Sequence, residues 1–181
     1  MIITCQPEPE EKIIDKRILP KKEIKTENIE DNINIFKDSL YKVIGVGDGD
    51  TYDILVNKTK VRLRMNAIDA PERGMPYYQV SKKHLSELIF KKMVKVEVIE
   101  TDRYDRKIVN TYLDTLDISA EMLKSGMAWH YKKYNQNKTY AQFEIDAKIN
   151  KRGLWHDKSP IAPWEIRKIR RSGQSTKDLF E

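Results

Sequence analysis

A chain of 181 residues with 39% hydrophobic and 34% charged residues is long enough for one well-formed core plus tails, and too short for two full domains. Residues 1–38 hold nine acids against seven bases, a balance of −2, so a net charge of +6 leaves +8 on residues 39–181, which favours a polyanionic partner, nucleic acid or alternatively an anionic membrane surface. The single cysteine, Cys5, excludes an intrachain disulfide and a thiolate metal site inside the domain, and no apolar run approaches the ~20 residues that span a bilayer.

Residues 1–38 mix Glu, Lys, Asn and isolated Ile with three prolines and no sustained period, which predicts a flexible leader. Cys5 within it reads as a free thiol in a loose tail; the alternative is the remnant of a lipoprotein signal, since a branched residue and a small one precede it. From Ser39 the pattern changes. Leu40 to Val46 and Tyr52 to Val56 are rich in β-branched and aromatic residues around the turn Gly47-Asp48-Gly49-Asp50, and Asn57 to Lys60 turns the chain into a third strand through Val61. In that strand Val61, Leu63 and Met65 face one way and Arg62 and Arg64 the other, until Asp69-Ala70-Pro71-Glu72 breaks it.

After Pro71 the period becomes helical. Tyr78, Ser81, Leu85, Leu88 and Ile89 share one face, with Lys82, Lys83 and Glu87 outside. Two more strands are predicted at Val94–Ile99 and Ile108–Leu113, separated by the charged turn Asp102 to Arg106. A short helix over Ile118–Lys124 has Asp117 or Ser119 to cap it and Gly126 to stop it. Thr139 to Gln142 has capping-box spacing for a helix running to Arg152, closed by Gly153. Trp164 to Arg171 is a basic amphipathic stub, expected as a solvated face that adds non-specific phosphate affinity. The fold class is therefore α+β: a five-stranded OB-type Greek-key barrel with about three helices. Its domain is expected over 39–160, with a basic tail over 161–181.

Chemistry concentrates in three segments. Asp48, Asp50 and Asp69, with no His or Cys nearby, make an oxygen-only environment that suits Ca²⁺ or Mg²⁺ and argues against Zn²⁺. The same Gly-Asp-Gly-Asp run also suits a tight turn that binds nothing. A cation with paired guanidinium groups would neutralise phosphodiester oxygens, and Glu72 would orient or deprotonate a water. His84, His130 and His156 share no ligand spacing and are expected on helix surfaces or loops. Trp129 and Trp155 are expected in the core, whereas Tyr131 and Tyr134, interleaved with Lys132 and Lys133, form an aromatic-basic patch of the kind that binds single strands.

These motifs resemble, from Ser39 to Trp155, the staphylococcal (micrococcal) nuclease or thermonuclease family. The likeness rests on Gly49-Asp50-Thr51, on Arg64 five residues before Asp69-Ala70-Pro71-Glu72, on Asp102-Arg103-Tyr104-Asp105-Arg106, on Gly126-Met127-Ala128 and on Gly153-Leu154-Trp155. The resemblance implies a Ca²⁺-dependent endonuclease of DNA and RNA that leaves 3′-phosphate ends and works as a monomer, exported from a bacterial cell. It implies Asp50, Asp69 and the Ala70 carbonyl as metal ligands, with Asp48 and Thr51 around them. Arg64 and Arg106 would hold the scissile phosphate, Glu72 would be the general base, and Arg103, Tyr104, Tyr131 and Tyr134 would contact the substrate. Two departures stand out: Asp105 replaces the usual glycine of its turn, and the loop after Glu72 is short. The competing readings are a non-catalytic OB-type module that binds nucleic acid or protein, and a phosphomonoesterase, which would act on a small aryl phosphate but not on polymers.

Overall fold

The computed structural model describes residues 39–176, 179 and 180, so the leader expected over 1–38 and Cys5 lie outside the described residues. Strands β1 (Leu40–Val46), β2 (Thr51–Val56) and β3 (Thr59–Met65) form an antiparallel meander. The turn between β2 and β3 is Asn57-Lys58, both at positive φ, which matches the right-handed twist of a two-residue hairpin. After β4 (Ile68–Asp69) and helix α1 (Tyr78–Ile89), β5 (Met93–Thr101) pairs antiparallel with β1 and with β6 (Lys107–Leu113). A parallel rung, Leu63 to Lys107 through Met65 to Val109, joins β3 to β6 and closes five strands into a barrel. The α+β, OB-type expectation is borne out.

The remaining elements seal the barrel. They are β7 (Leu116–Asp117), α2 (Ile118–Lys124), β8 (Trp129–His130, paired with β4), α3 (Lys138–Ile149), a 3₁₀ turn at Gly153–His156, and α4 (Pro163–Arg171). Tyr41, Val43, Tyr52, Ile54, Leu63, Met65, Val94, Val96 and Val109 fill the interior from alternate strand positions. Leu85 and Ile89 from α1, and Ile118, Met122 and Leu123 from α2, join the same core. Deep inside, the hydroxyls of Tyr52 and Thr111 satisfy each other at 2.7 Å, and burial pushes the Tyr52 phenol well above its ordinary pKa.

Asp117 caps α2, accepting from the Ala120 N–H. For α3 the cap is Asn137 rather than Thr139: its side-chain oxygen accepts from the N–H groups of Thr139 and Tyr140, so the helix begins two residues before the capping-box reading places it. Gly126 and Gly153, both at positive φ, cross backbone to backbone; a Cβ on Gly153 would lie 2.2 Å from the Gly126 carbonyl oxygen. No helix among the described residues is long and apolar enough to cross a membrane.

His130 corrects its surface assignment. It is buried at 1% exposure, because the β8 pairing with β4 draws its backbone inward, where its N–H donates to Glu144 and its Nε2 lies 3.2 Å from Asn135. Trp129 is buried, and Trp155 packs edge-on against it at 5.5 Å while staying partly exposed.

Candidate nuclease active site

The acids sit where three loops leave the barrel at one end. Between β1 and β2 the chain turns tightly, with the Gly47 and Asp48 N–H groups both donating to the Thr51 carbonyl. This turn packs hard on its neighbours. A Cβ added at Gly49 would lie 1.9 Å from Ser81 Oγ and 2.7 Å from the Ala70 Cβ. Asp48 Oδ1 accepts from the Asp50 N–H, and Asp50 is fixed by three donors: Thr51 Oγ1 at 3.0 Å, the Ala70 N–H at 2.6 Å and Arg64 Nη2 at 3.2 Å.

Arg64 is the hub. From β3 its Nη2 bridges Asp50 and Asp69, the latter at 3.0 Å, while its Nη1 donates to the Met65 carbonyl. Asp50 and Asp69 are 5% and 1% exposed. Burial raises Asp48 to about 7, helped by the Asp50 charge beside it and opposed by Arg64. Burial likewise raises Asp69 to about 6, with Asp50 adding to the rise and the Arg167 and Arg64 guanidinium groups limiting it. Carboxylates crowded in this way are relieved by a cation.

Arg106 enters the same rim by the parallel rung, because Lys107, the residue after it, pairs with Leu63, the residue before Arg64. Asp102 holds it: one oxygen accepts from Arg106 Nε and Nη2 and the other from the Tyr104 and Arg106 N–H groups, which keep its carboxyl below the usual range although burial acts to raise it. Asp105 sits at φ 60° and supplies the left-handed turn without glycine. Tyr104 is 65% exposed beneath the guanidinium groups of Arg103 and Arg106. Tyr131 and Tyr134 meet edge to face at 4.8 Å.

Arg167 overturns the expectation of a solvated C-terminal face. From α4 its Nη2 reaches Asp69 at 2.6 Å and its Nη1 reaches Glu72 at 2.6 Å, while Arg170 takes the other Glu72 oxygen at 3.0 Å. Burial disfavours the Arg167 cation, yet the two carboxylates hold it well above its ordinary pKa. Trp164, one turn earlier, stacks on Tyr131 with ring planes 3° apart and centroids 5.2 Å apart. Local periodicity carries no sign of contacts between residues 95 and 98 positions apart; the one available cue was Arg167 and Arg170 sharing a face at i, i+3.

Asp50, Asp69, Arg64, Ala70 and Glu72 are thus in one cluster, with Asp48 and Thr51 beside it. Arg106, Arg103 and Tyr104 line a neighbouring turn, and Tyr131 is tied in through α4. The donors fit a hard cation in kind, being two buried carboxylates and a backbone carbonyl, all oxygen. Among the described residues no three His, Cys, Asp or Glu side chains converge on one point, and Arg64 and Arg167 occupy the oxygens of Asp69. A groove of about 540 Å³ is lined by Asn66, Asn110, Tyr112, Tyr140 and Phe143 among others and includes none of the acidic cluster.

The family described as Staphylococcal nuclease homologue matches residues 62–157. An uncharacterized endonuclease of Haemophilus influenzae is 38% identical over 128 residues, 70% of this chain and 72% of that protein. One from Escherichia coli O157:H7 is 35% identical over 124 residues, 68% of this chain and 81% of its own length. A probable staphylococcal-like nuclease of Oryza sativa subsp. japonica is 39% identical over 134 residues, 74% of this chain but 34% of that protein. The chain spans about a third of the length of the rice relatives it matches.

Proposed function

We propose that this chain, which belongs to the staphylococcal nuclease family, is a Ca²⁺-dependent endonuclease that hydrolyses phosphodiester bonds of DNA and RNA and leaves 3′-phosphate ends. The observation that carries this reading is the gathering of Asp50, Asp69, Arg64 and Glu72, from three separate segments, into one partly buried cluster of acids and guanidinium.

Asp50, Asp69 and the Ala70 carbonyl hold the cation in this scheme, with Asp48 and Thr51 supporting Asp50. When bound, Ca²⁺ supplies charge neutralisation to a non-bridging phosphate oxygen. Arg64 and Arg106 hold the remaining equatorial oxygens, and Asp102 keeps the Arg106 fork aimed. Glu72 takes a proton from water as its oxygen attacks phosphorus; the bond from phosphorus to the 5′-oxygen breaks, that oxygen leaves as a hydroxyl by taking a proton from solvent, the phosphate stays on the 3′ side, and Glu72 returns its proton to solvent. Tyr104 with Arg103 lies toward the phosphate end of the nucleotide, and Tyr131 and Tyr134 toward its base. The enzyme acts as a monomer, and export from a bacterial cell belongs to the same proposal, tested by sequencing the mature N-terminus from the native host.

The deciding experiment digests plasmid, single-stranded DNA and RNA at millimolar Ca²⁺ and with chelator, comparing the native chain with Glu72→Gln and Arg106→Ala. Cleavage that requires Ca²⁺ and falls about 10²-fold or more in each variant is expected. Cleavage that survives chelation, or variants as active as the parent, defeats the proposal. Salt-sensitive retention of DNA without turnover under any divalent ion selects the non-catalytic binding barrel instead.

A further inference from the structure

We propose that α4 is an autoinhibitory strap: Arg167, seated between Asp69 and Glu72, competes with the divalent cation for the acids of the site, and binding of cation and nucleic acid together releases the helix. This rests on the nuclease reading and adds a regulatory element to the same site.

Occupancy of the oxygens sets the two states in competition. Asp69 Oδ1 accepts from Arg64, Asp69 Oδ2 from Arg167, Glu72 Oε1 from Arg167 and Glu72 Oε2 from Arg170, so every carboxylate oxygen of the two acids already faces a guanidinium group. A Ca²⁺ ion coordinates at about 2.3–2.6 Å and carries two positive charges, so it competes with the Arg167 guanidinium, 2.6 Å from Asp69 Oδ2, for the same carboxylate. Repulsion between the two cations favours departure of Arg167, the more exposed of the two arginines on Asp69. The helix also blocks the far end of the site, because Trp164 lies flat on Tyr131 in the manner of a stacked base, with the Arg167 guanidinium 5.9 Å from the same ring.

The attachment is strong enough to close and weak enough to open. Ile166 is fully buried and Pro163 starts the helix with no N–H to satisfy, which fixes its placement. The latch itself is made of ion pairs whose arginines are 33% and 40% exposed, open to screening by salt and to competition from phosphates. A nucleic acid strand brings such phosphates, and Lys168 and Arg171 on the same helix offer them cationic contacts.

A strap closed nine-tenths of the time lowers the apparent affinity of its competitor about tenfold. Calorimetric titration of CaCl₂ into the full chain and into its Arg167→Gln/Arg170→Gln variant is therefore expected to show about tenfold tighter Ca²⁺ binding by the variant. Cleavage rates are expected to differ by a similar factor at limiting Ca²⁺ and to converge at saturation. Amide hydrogen exchange in the native chain, which does not depend on any variant folding, is expected to speed up across residues 163–171 when Ca²⁺ and a phosphorothioate oligonucleotide are added together. Equal or weaker Ca²⁺ binding by the folded variant, or helix protection unchanged by those additions, overturns the strap while leaving the nuclease assignment intact. A variant that binds Ca²⁺ as the parent does but cleaves more slowly at saturation also overturns it, because the arginines then position substrate. No Ca²⁺ uptake and no cleavage by either protein overturns the nuclease reading and the competition with it.

Discussion

Gly49→Ala probes how the acidic turn is positioned. The new Cβ would meet Ser81 Oγ at 1.9 Å, the Ala70 Cβ at 2.7 Å and the Ser81 Cβ at 3.0 Å. Ser81 has no free rotation to offer, since it is fully buried and its hydroxyl donates to the Met127 carbonyl at 2.7 Å. Overpacking of this kind costs about 1–3 kcal/mol, and stranding the Met127 carbonyl adds about 1 kcal/mol or more. A loss near 3 kcal/mol lowers the melting temperature of a chain this size by about 6–12 °C. Activity should fall further than stability. Ala70 is pushed while its N–H holds Asp50 at 2.6 Å, and a displacement near 1 Å at a reacting centre costs about 10²-fold in rate. Circular-dichroism melts and plasmid cleavage read both effects. Adding Ser81→Ala removes the 1.9 Å clash, and the double variant should recover about 1–2 kcal/mol relative to the sum of the single changes. A Gly49→Ala protein melting within a degree of the parent, or a double variant with no recovery, refutes the packing argument.

Three other perturbations follow from the same geometry. Glu144, 2% exposed, accepts from Lys132, Lys148 and the His130 N–H; burial acts to raise its pKa, and those donors more than offset it, so the folded value is lowered. Its contribution is complete above the unfolded carboxylate range and is lost as pH falls through the lowered folded value. Glu144→Gln should therefore cost about 1–2 kcal/mol in urea unfolding at pH 7 and progressively less as the pH falls below the unfolded carboxylate range, and a pH-independent difference contradicts this. Tyr52→Phe should cost about 1–2 kcal/mol by stranding the Thr111 hydroxyl, with most of it recovered in Tyr52→Phe/Thr111→Val; denaturation midpoints of the three proteins decide. Asp105→Gly relieves a φ of 60° and removes an acid beside Arg106, so a gain of about 0.5 kcal/mol is expected with tighter DNA binding at low salt, read by melting and fluorescence anisotropy.

Much of the barrel was legible because its strands are half-buried. The alternation of Leu63 and Met65 with Arg62 and Arg64 survives directly as burial, and α2 runs over Ile118–Lys124 with Asp117, one of the two caps expected, as its cap. Two-residue strands such as β4 and β8 have no period to detect, and their pairing is what took His130 into the interior. Asn137 and Thr139 are both competent caps, and only the backbone geometry chooses between them. At the site, Arg64 facing away from the core side beside two acids was readable from the strand pattern. The docking of α4 was not, since an amphipathic helix announces that it has an apolar face without saying where that face lands; Ile166 is fully buried, and the next residue, Arg167, reaches Asp69.

The parallel rung between β3 and β6 also governs when the molecule can be completed. Leu63 must wait for Lys107, a segment made 44 residues later, before the last edge of the barrel is satisfied. During synthesis at about 5–20 residues per second the nascent chain holds β1 to β3 for several seconds as an open meander with an unpaired margin. A ribosome stalled before Lys107 would present a sticky sheet, and its exposed margin would be the natural landing place for a chaperone or for another unfinished copy.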